Sequence, residues 1–161
     1  GRSAVFSAAA ASAVRGSGLG LLGIGLPDIP LFAASLLRSL GQIARGYGYI
    51  TSTRRERRIM LLVLDAALTG GMEYPALSDQ LDQALSGTEL TGLSEQELAD
   101  RVAGKLAEEL LAAKFLQGIP LAGAVGGVLD SRLTARLLDY AALKYNRRFL
   151  LDHRPSGAAG L

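Results

Sequence analysis

The chain has 161 residues, 49% of them hydrophobic, with 17 Lys and Arg against 15 Asp and Glu and no cysteine. A chain of this length fits one domain that buries about 70% of its unfolded surface, so its core needs no metal or disulfide staple. Lack of cysteine removes disulfides, thiolate catalysis and cysteine-based zinc or iron–sulfur sites, and the single histidine, His153, removes histidine-rich metal sites. No metal and no cofactor are expected.

Charge is zoned along the chain. Residues 1–60 carry eight arginines against Asp28 and Glu56, residues 61–130 carry eleven acids against Arg101, Lys105 and Lys114, and residues 131–161 turn basic again. Either the zones neutralise one another in the folded domain, or a basic face is turned to an anionic partner.

Strand-type alternation is missing and Ala, Leu and Arg, all good helix formers, dominate. An all-α fold follows: one compact helical domain of about five or six helices over residues 1–152, with two Gly/Pro-rich apolar turns close together in space. Residues 153–161 are expected to be a disordered tail. The opening "GRSAVFSAAAASAVRG" has A-x-A triplets but only Arg2 as a basic start and no leucine core. An alanine-rich helix is expected there, not a signal peptide.

The next stretch, "GSGLGLLGIGLPDIP", threads five glycines through aliphatics and sets Asp28 between Pro27 and Pro30. Gly18, Gly20 and Gly23 satisfy the dinucleotide pattern G-x-G-x-x-G, but no strand precedes it and no acid lies between Asp28 and Glu56, so nucleotide binding is not expected. From Gly16 to Leu37 the only ionisable group is Asp28, and the run is long enough to reach across a bilayer core. Five glycines and two interior prolines argue against a single continuous helix. Two readings stay open: a buried helix–turn–helix in which glycine allows close backbone approach, and a turn that touches lipid through Leu22 and Ile24.

After Pro30, Phe32, Leu36, Leu37, Leu40 and Ile43 recur at helical spacing, and Gly46 and Gly48 end the helix. The following helix opens at "TSTRRERRIMLLVLDAAL", where Thr53 and Glu56 have capping-box spacing, each side chain satisfying an orphan backbone N–H. Arg54, Arg55, Arg57 and Arg58 crowd its N-terminus, where the helix dipole disfavours cations, so local energetics do not account for them. They are expected either to pair with acids of the 73–109 segment or to face anionic lipid. Nucleic acid is not expected, because no aromatics interleave with the run.

Residues 72–91 read as a loop with one short helix near 77–85. A second capping box, Ser94 with Glu97, starts a helix whose Leu98, Val102, Leu106 and Leu110 fall every fourth residue, with Glu95, Glu97, Asp100, Lys105, Glu108 and Glu109 on the wet side. Gly118 and Pro120 stop it, "IPLAGAVGGVLD" repeats the glycine–aliphatic–aspartate chemistry, and a last helix is expected from an Asp130 or Ser131 cap to about Leu151. Catalytic patterns such as G-x-S-x-G and S-x-x-K are missing. Asp28 is the weak catalytic candidate, a carboxylate in an apolar loop, although capping the following helix is its simpler role.

The stretches "GLGLLGIGLPDIPLFAASLLRSLGQIARGYGY", "RRERRIMLLVLDAAL" and "IPLAGAVGG", the last leading to a helix that ends "YNRRFL", resemble in order and spacing the EcsC protein family of bacteria. The likeness covers most of Gly16 to Leu151, and the further N-terminal helical segment with which the family begins is expected to be shortened here. The positions that carry the resemblance are Gly20, Gly25, Asp28, Pro30, Arg38, Tyr47, Gly48, Pro120, Gly123 and Gly126, all with structural readings. The family takes its name from a protein encoded beside an ABC exporter and has no established activity. What the resemblance implies is association with membrane or transport functions and no defined reaction, and the function expected here is that of a non-enzymatic membrane- or transporter-associated binding protein. Its expected partners are an anionic membrane surface or a membrane protein, met through Leu22, Ile24 and the Arg54–Arg58 cluster at the inner, cytoplasmic face. The alternative is a hydrolase or other enzyme using Asp28, with Arg38 or Arg45 holding an anionic substrate.

Overall fold

In the computed structural model, which describes residues 28–69, 74–87, 92–116 and 126–154, five helices follow one another: α1 (Asp28–Gly46), α2 (Arg54–Leu68), α3 (Tyr74–Leu85), α4 (Glu95–Leu116) and α5 (Gly126–Asp152). No strand occurs among the described residues, as expected of an all-α chain. The Gly16–Pro27 turn, the Gly118–Val125 turn, the alanine-rich opening and residues 155–161 lie outside the described residues. So does the expected proximity of the two turns.

α2 is the central element because its sequence leaves it no wet face. Every residue from Ile59 to Ala66 is buried, and a helix that is apolar all round must be surrounded. It packs most extensively on α4 and touches α1, α3 and α5 as well. α1 supplies a stripe of Ala33, Leu36, Leu40 and Ala44, with Phe32, Leu37 and Ile43 at its margins. α4 contributes the expected every-fourth-residue row, Leu98, Val102 and Leu106 with Ala99 and Ala103, while Leu110 is only partly covered. Leu77, Leu81 and Leu85 of α3 and Leu133, Leu137, Ala141 and Tyr145 of α5 close the remaining sides. Each buried leucine contributes about 1.5–3 kcal/mol of burial free energy, so the core rests on these spacings.

Three helix starts differ from the sequence expectation. α3 begins at Tyr74 and not near residue 77, with Pro75 in its first turn. α1 begins at Asp28, not after Pro30. Proline is tolerated there because the first four N–H groups of a helix have no partner within it, so the missing donor costs nothing. α5 begins at Gly126, which places Asp130 and Ser131 inside the helix and not at its cap. Glycine disfavours helix by only about 1 kcal/mol per residue, and no proline lies between Pro120 and the end of α5 to forbid the extension.

The α1–α2 connection is a Schellman turn. The Gly48 N–H donates to Arg45 O at 2.9 Å and the Tyr49 N–H to Ala44 O at 3.0 Å, which demands a left-handed residue between helix and exit. Gly48 takes that position with φ of 87°. The turn delivers Tyr47 and Tyr49 toward the last turns of α5: the Tyr47 ring lies 5.9 Å from that of Phe149, and the Tyr49 ring 5.7 Å from that of Tyr145.

Candidate functional site

Where this turn, the start of α2 and the end of α5 meet, a carboxylate is enclosed. Thr53 caps α2 as expected, its Oγ1 accepting from the Glu56 N–H at 3.1 Å. The reciprocal half of the expected capping box is not made. Glu56 turns inward, where its Oε1 accepts from the Tyr145 hydroxyl at 2.6 Å and from Arg148 Nη1 at 3.0 Å, and its Oε2 accepts from the same Nη1 at 2.8 Å. A buried cation offers this carboxylate more than one exposed backbone N–H at the helix start. The Thr53 N–H donates to Ile50 O instead, at 3.4 Å.

Arg148 is itself sandwiched. Its guanidinium carbon lies 3.7 Å from the centroid of the Tyr49 ring, a cation–π contact in a largely dehydrated setting. The Tyr49 hydroxyl donates to Asp152 Oδ2 at 2.8 Å, and Asp152 stands 3.9 Å from Arg148 Nε. Burial, then the nearby Glu56 charge and hydrogen bond, push the Tyr145 hydroxyl well above the ordinary phenol range. Burial, then the bond to Asp152, do the same for Tyr49. Both phenols therefore remain protonated donors, and neither is available as a base. Every charge in the cluster has its opposite within it, so it ties three chain segments together.

A second enclosed carboxylate lies nine residues further along α2. Asp65 Oδ1 accepts from Lys105 Nζ at 2.7 Å, and Oδ2 accepts from Arg101 Nε at 2.9 Å and from Arg101 Nη2. Lys105 also donates to the Thr69 hydroxyl, which caps the same helix end. Asp82 of α3 makes a third anchor: Lys144 reaches it at 2.8 Å and Arg147 at 2.6 Å, both from α5. Among the described residues no three His, Asp or Glu side chains are grouped to hold a metal ion.

The arginine run at the head of α2 is explained by partners on other elements. Arg55 donates to Ala84 O at 2.6 Å, at the carbonyl-rich end of α3. Arg58 donates to Leu93 O at 2.7 Å, just ahead of α4. Arg57 pairs with Glu95 at 2.8 Å and donates to Ser52 O at 2.6 Å. Three of the four thus clamp α2 to the end of α3 and the start of α4, and Arg54 remains exposed. Of the other positions singled out from the sequence, Leu22, Ile24, Gly20, Gly25, Pro120 and Gly123 lie outside the described residues. Asp28 and Pro30 occupy the first turn of α1, and Gly126 opens α5. Arg38 is exposed on α1, and Arg45, offered above as a substrate-holding group, donates to the Thr51 hydroxyl at 3.2 Å.

The sequence model of the EcsC protein family matches residues 2–150. The chain belongs to the EcsC family. No curated protein and no solved structure matches it. In this EcsC protein the stretches that carry the resemblance converge on one place: "ARGYGY" supplies Tyr47 and Tyr49, "RRERRIMLLVLDAAL" supplies Glu56, and "YNRRFL" supplies Tyr145 and Arg148. Sequence reasoning missed the cluster because Glu56 carries a local capping signature, which hides its longer-range use. Asp65 had a readable signal, an acid inside the apolar run "IMLLVLDAAL", which demands a buried partner.

Proposed function

We propose that this EcsC family protein is a non-enzymatic binding protein that associates peripherally with a membrane, at anionic lipid or at a membrane protein. One observation carries the reading. The large apolar side chains that the described fold leaves most exposed, Ile50 at 69%, Leu143 at 64% and Leu150 at 59%, are each followed four residues on by an exposed arginine, Arg54, Arg147 and Arg154. Paired apolar and cationic groups are the two weak signals that together give reversible membrane attachment. No helix among the described residues is long and apolar enough to cross a membrane, so attachment through them is at the surface. Arg55, Arg57 and Arg58 contribute less than Arg54, because their guanidinium groups are engaged within the fold.

Liposome co-flotation of the full chain tests the reading. Binding to anionic vesicles that falls with added salt, and fails on neutral ones, is the expected result for lipid. Flotation only with native membranes carrying their proteins would assign the partner as protein. Absence of binding to both retires the proposal.

A further inference from the structure

The outward line of α5 has a composition that the fold does not require. Arg132, Arg136, Asp139, Leu143, Arg147 and Leu150 are all exposed on it, and Arg154, also exposed, follows two residues past its end. At 100° per residue the six on the helix fall within a strip about 80° wide, and at 1.5 Å per residue the line from Arg132 to Leu150 runs about 27 Å along the helix surface. Packing accounts for the opposite side of the helix, where Leu133, Leu137, Ala141, Tyr145 and Arg148 are buried. Two of the line's arginines do make ion pairs, Arg136 with Glu109 at 3.3 Å and Arg147 with Asp82 at 2.6 Å. Both side chains stay more than half exposed, and pairs of that kind hold a guanidinium too weakly to withhold it from a denser array of anions.

Resting on the peripheral-attachment reading, we infer that this face of α5 is the surface that meets the membrane, with the helix lying along an anionic bilayer. Leu143 and Leu150 enter the acyl boundary, and Arg132, Arg147 and Arg154 lie at the level of the lipid phosphates. The spacing decides for lipid over protein. The two leucines stand about 10 Å apart with an arginine between them, so they form no contiguous apolar centre of the kind that anchors a protein interface. A bilayer needs no such centre, because each side chain is solvated by acyl chains wherever it enters. Arginine, with an apolar stem and a weakly hydrated head, suits the headgroup level. Ile50 lies at the same end, since its neighbour Tyr49 is bonded to Asp152 of α5. Asp139 is the one carboxylate on the line and separates the Arg132–Arg136 half from the half carrying the leucines.

The test is partitioning of the full chain onto phosphatidylglycerol–phosphatidylcholine vesicles at low salt. Leu143→Asp with Leu150→Asp is expected to lower partitioning at least tenfold. Arg132→Ala with Arg154→Ala is expected to lower it by up to about thirtyfold at low salt and to flatten its salt dependence. Neither pair includes a residue that holds the core, and circular dichroism of each variant must match the parent. The chain contains no cysteine, so Leu143→Cys and Gln96→Cys each carry a single environment-sensitive dye. The first should shift to the blue on vesicles and the second should not. Full binding by the leucine variant, or equal shifts at both labels, overturns this face while leaving membrane attachment standing. Binding only to membranes that contain their proteins overturns the lipid assignment alone. No binding of the parent to either removes the underlying reading and this inference with it.

Discussion

α2 carries two enclosed carboxylates, and they are enclosed in opposite ways. At its head, Glu56 meets a cation that is itself out of water: the Arg148 side chain is 8% exposed, covered by Tyr49 and bonded within the interior. Toward its tail, Asp65 is fully buried, but Arg101 and Lys105 are 41% and 22% exposed, so their stems cross the protein while part of each cation stays hydrated. Burying both partners costs two desolvations, and burying one costs little more than one. The Glu56 end therefore depends on its geometry being complete, whereas the Asp65 end has a spare cation and solvent to fall back on.

The largest expected effect follows from that difference. Arg148→Ala leaves Glu56 enclosed with only the Tyr145 hydroxyl for a partner, and should cost about 3–5 kcal/mol of unfolding free energy. Urea denaturation at neutral pH measures it. Pairing Arg148→Met with Glu56→Gln should recover much of that loss, because no charge is then stranded. A single-variant cost below about 1 kcal/mol would show that water reaches Glu56 and would erase the contrast with Asp65.

Arg101→Ala sharpens the same comparison from the other end. Lys105 and the α2 end still hold Asp65, so the expected cost is about 1–2 kcal/mol, clearly below that of Arg148→Ala. Equal costs would mean that the two ends are equally closed.

Gly48→Ala acts on the Glu56 end through the backbone. An added Cβ at Gly48 would meet nothing within 4 Å, so the substitution tests only the left-handed conformation. A loss of about 1–2 kcal/mol is expected, with Tyr49 displaced from Arg148 if the turn relaxes. At Gly46, in the last turn of α1 and also open to a Cβ, alanine should be neutral or stabilising by up to about 1 kcal/mol.

How much of this was legible follows from the range of each signal. Capping residues, glycine stops and the every-fourth-residue apolar row are written within one helical turn of where they act, so the starts of α2 and α4 and the end of α3 are legible in the sequence. Family membership was legible for a related reason, since it rests on the order of several such stretches. The starts of α1, α3 and α5 precede their expected positions because proline and glycine stand there as apparent stops where the local chemistry permits helix. Glu56, Tyr145 and Arg148 could not be joined from sequence, since 89 and 92 residues separate the partners and nothing local marks Glu56 as anything but a cap residue. The same limit applies to Arg55, Arg57 and Arg58. Their position against the helix dipole showed that an explanation was needed without showing that Ala84, Glu95 and Leu93 provide it.

The smallest expected effect separates two sites with the same pattern. Thr53–Glu56 and Ser94–Glu97 share capping-box spacing, but only the second closes reciprocally: the Ser94 N–H donates to Glu97 Oε2 at 2.7 Å and the Glu97 N–H donates to Ser94 Oγ at 3.3 Å. Hydrogen bonding from Ser94 to the Glu97 carboxyl, from its side chain first and its backbone N–H second, holds that carboxyl below its ordinary value of 4.5. A carboxyl depressed by folding stabilises the folded state above its unfolded value, and the contribution is lost as pH falls through the depressed value. Glu97 should therefore favour a closed α4 start at neutral pH and release it only on the acid side of 4.5. Because α4 also carries Arg101 and Lys105, this start is part of the Asp65 end. Carboxyl-resonance titration by NMR should show Glu97 titrating below the range of an unbonded glutamate. Ser94→Ala should return it toward that range and also cost about 1 kcal/mol through the lost cap. At the other site, Thr53→Ala removes one bond to a backbone N–H and should leave Glu56 in place, since Arg148 and Tyr145 hold its carboxylate. A carboxyl resonance of Glu56 that moved with Thr53→Ala would show that cap and enclosure act as one unit, and the contrast drawn between the two boxes would fall.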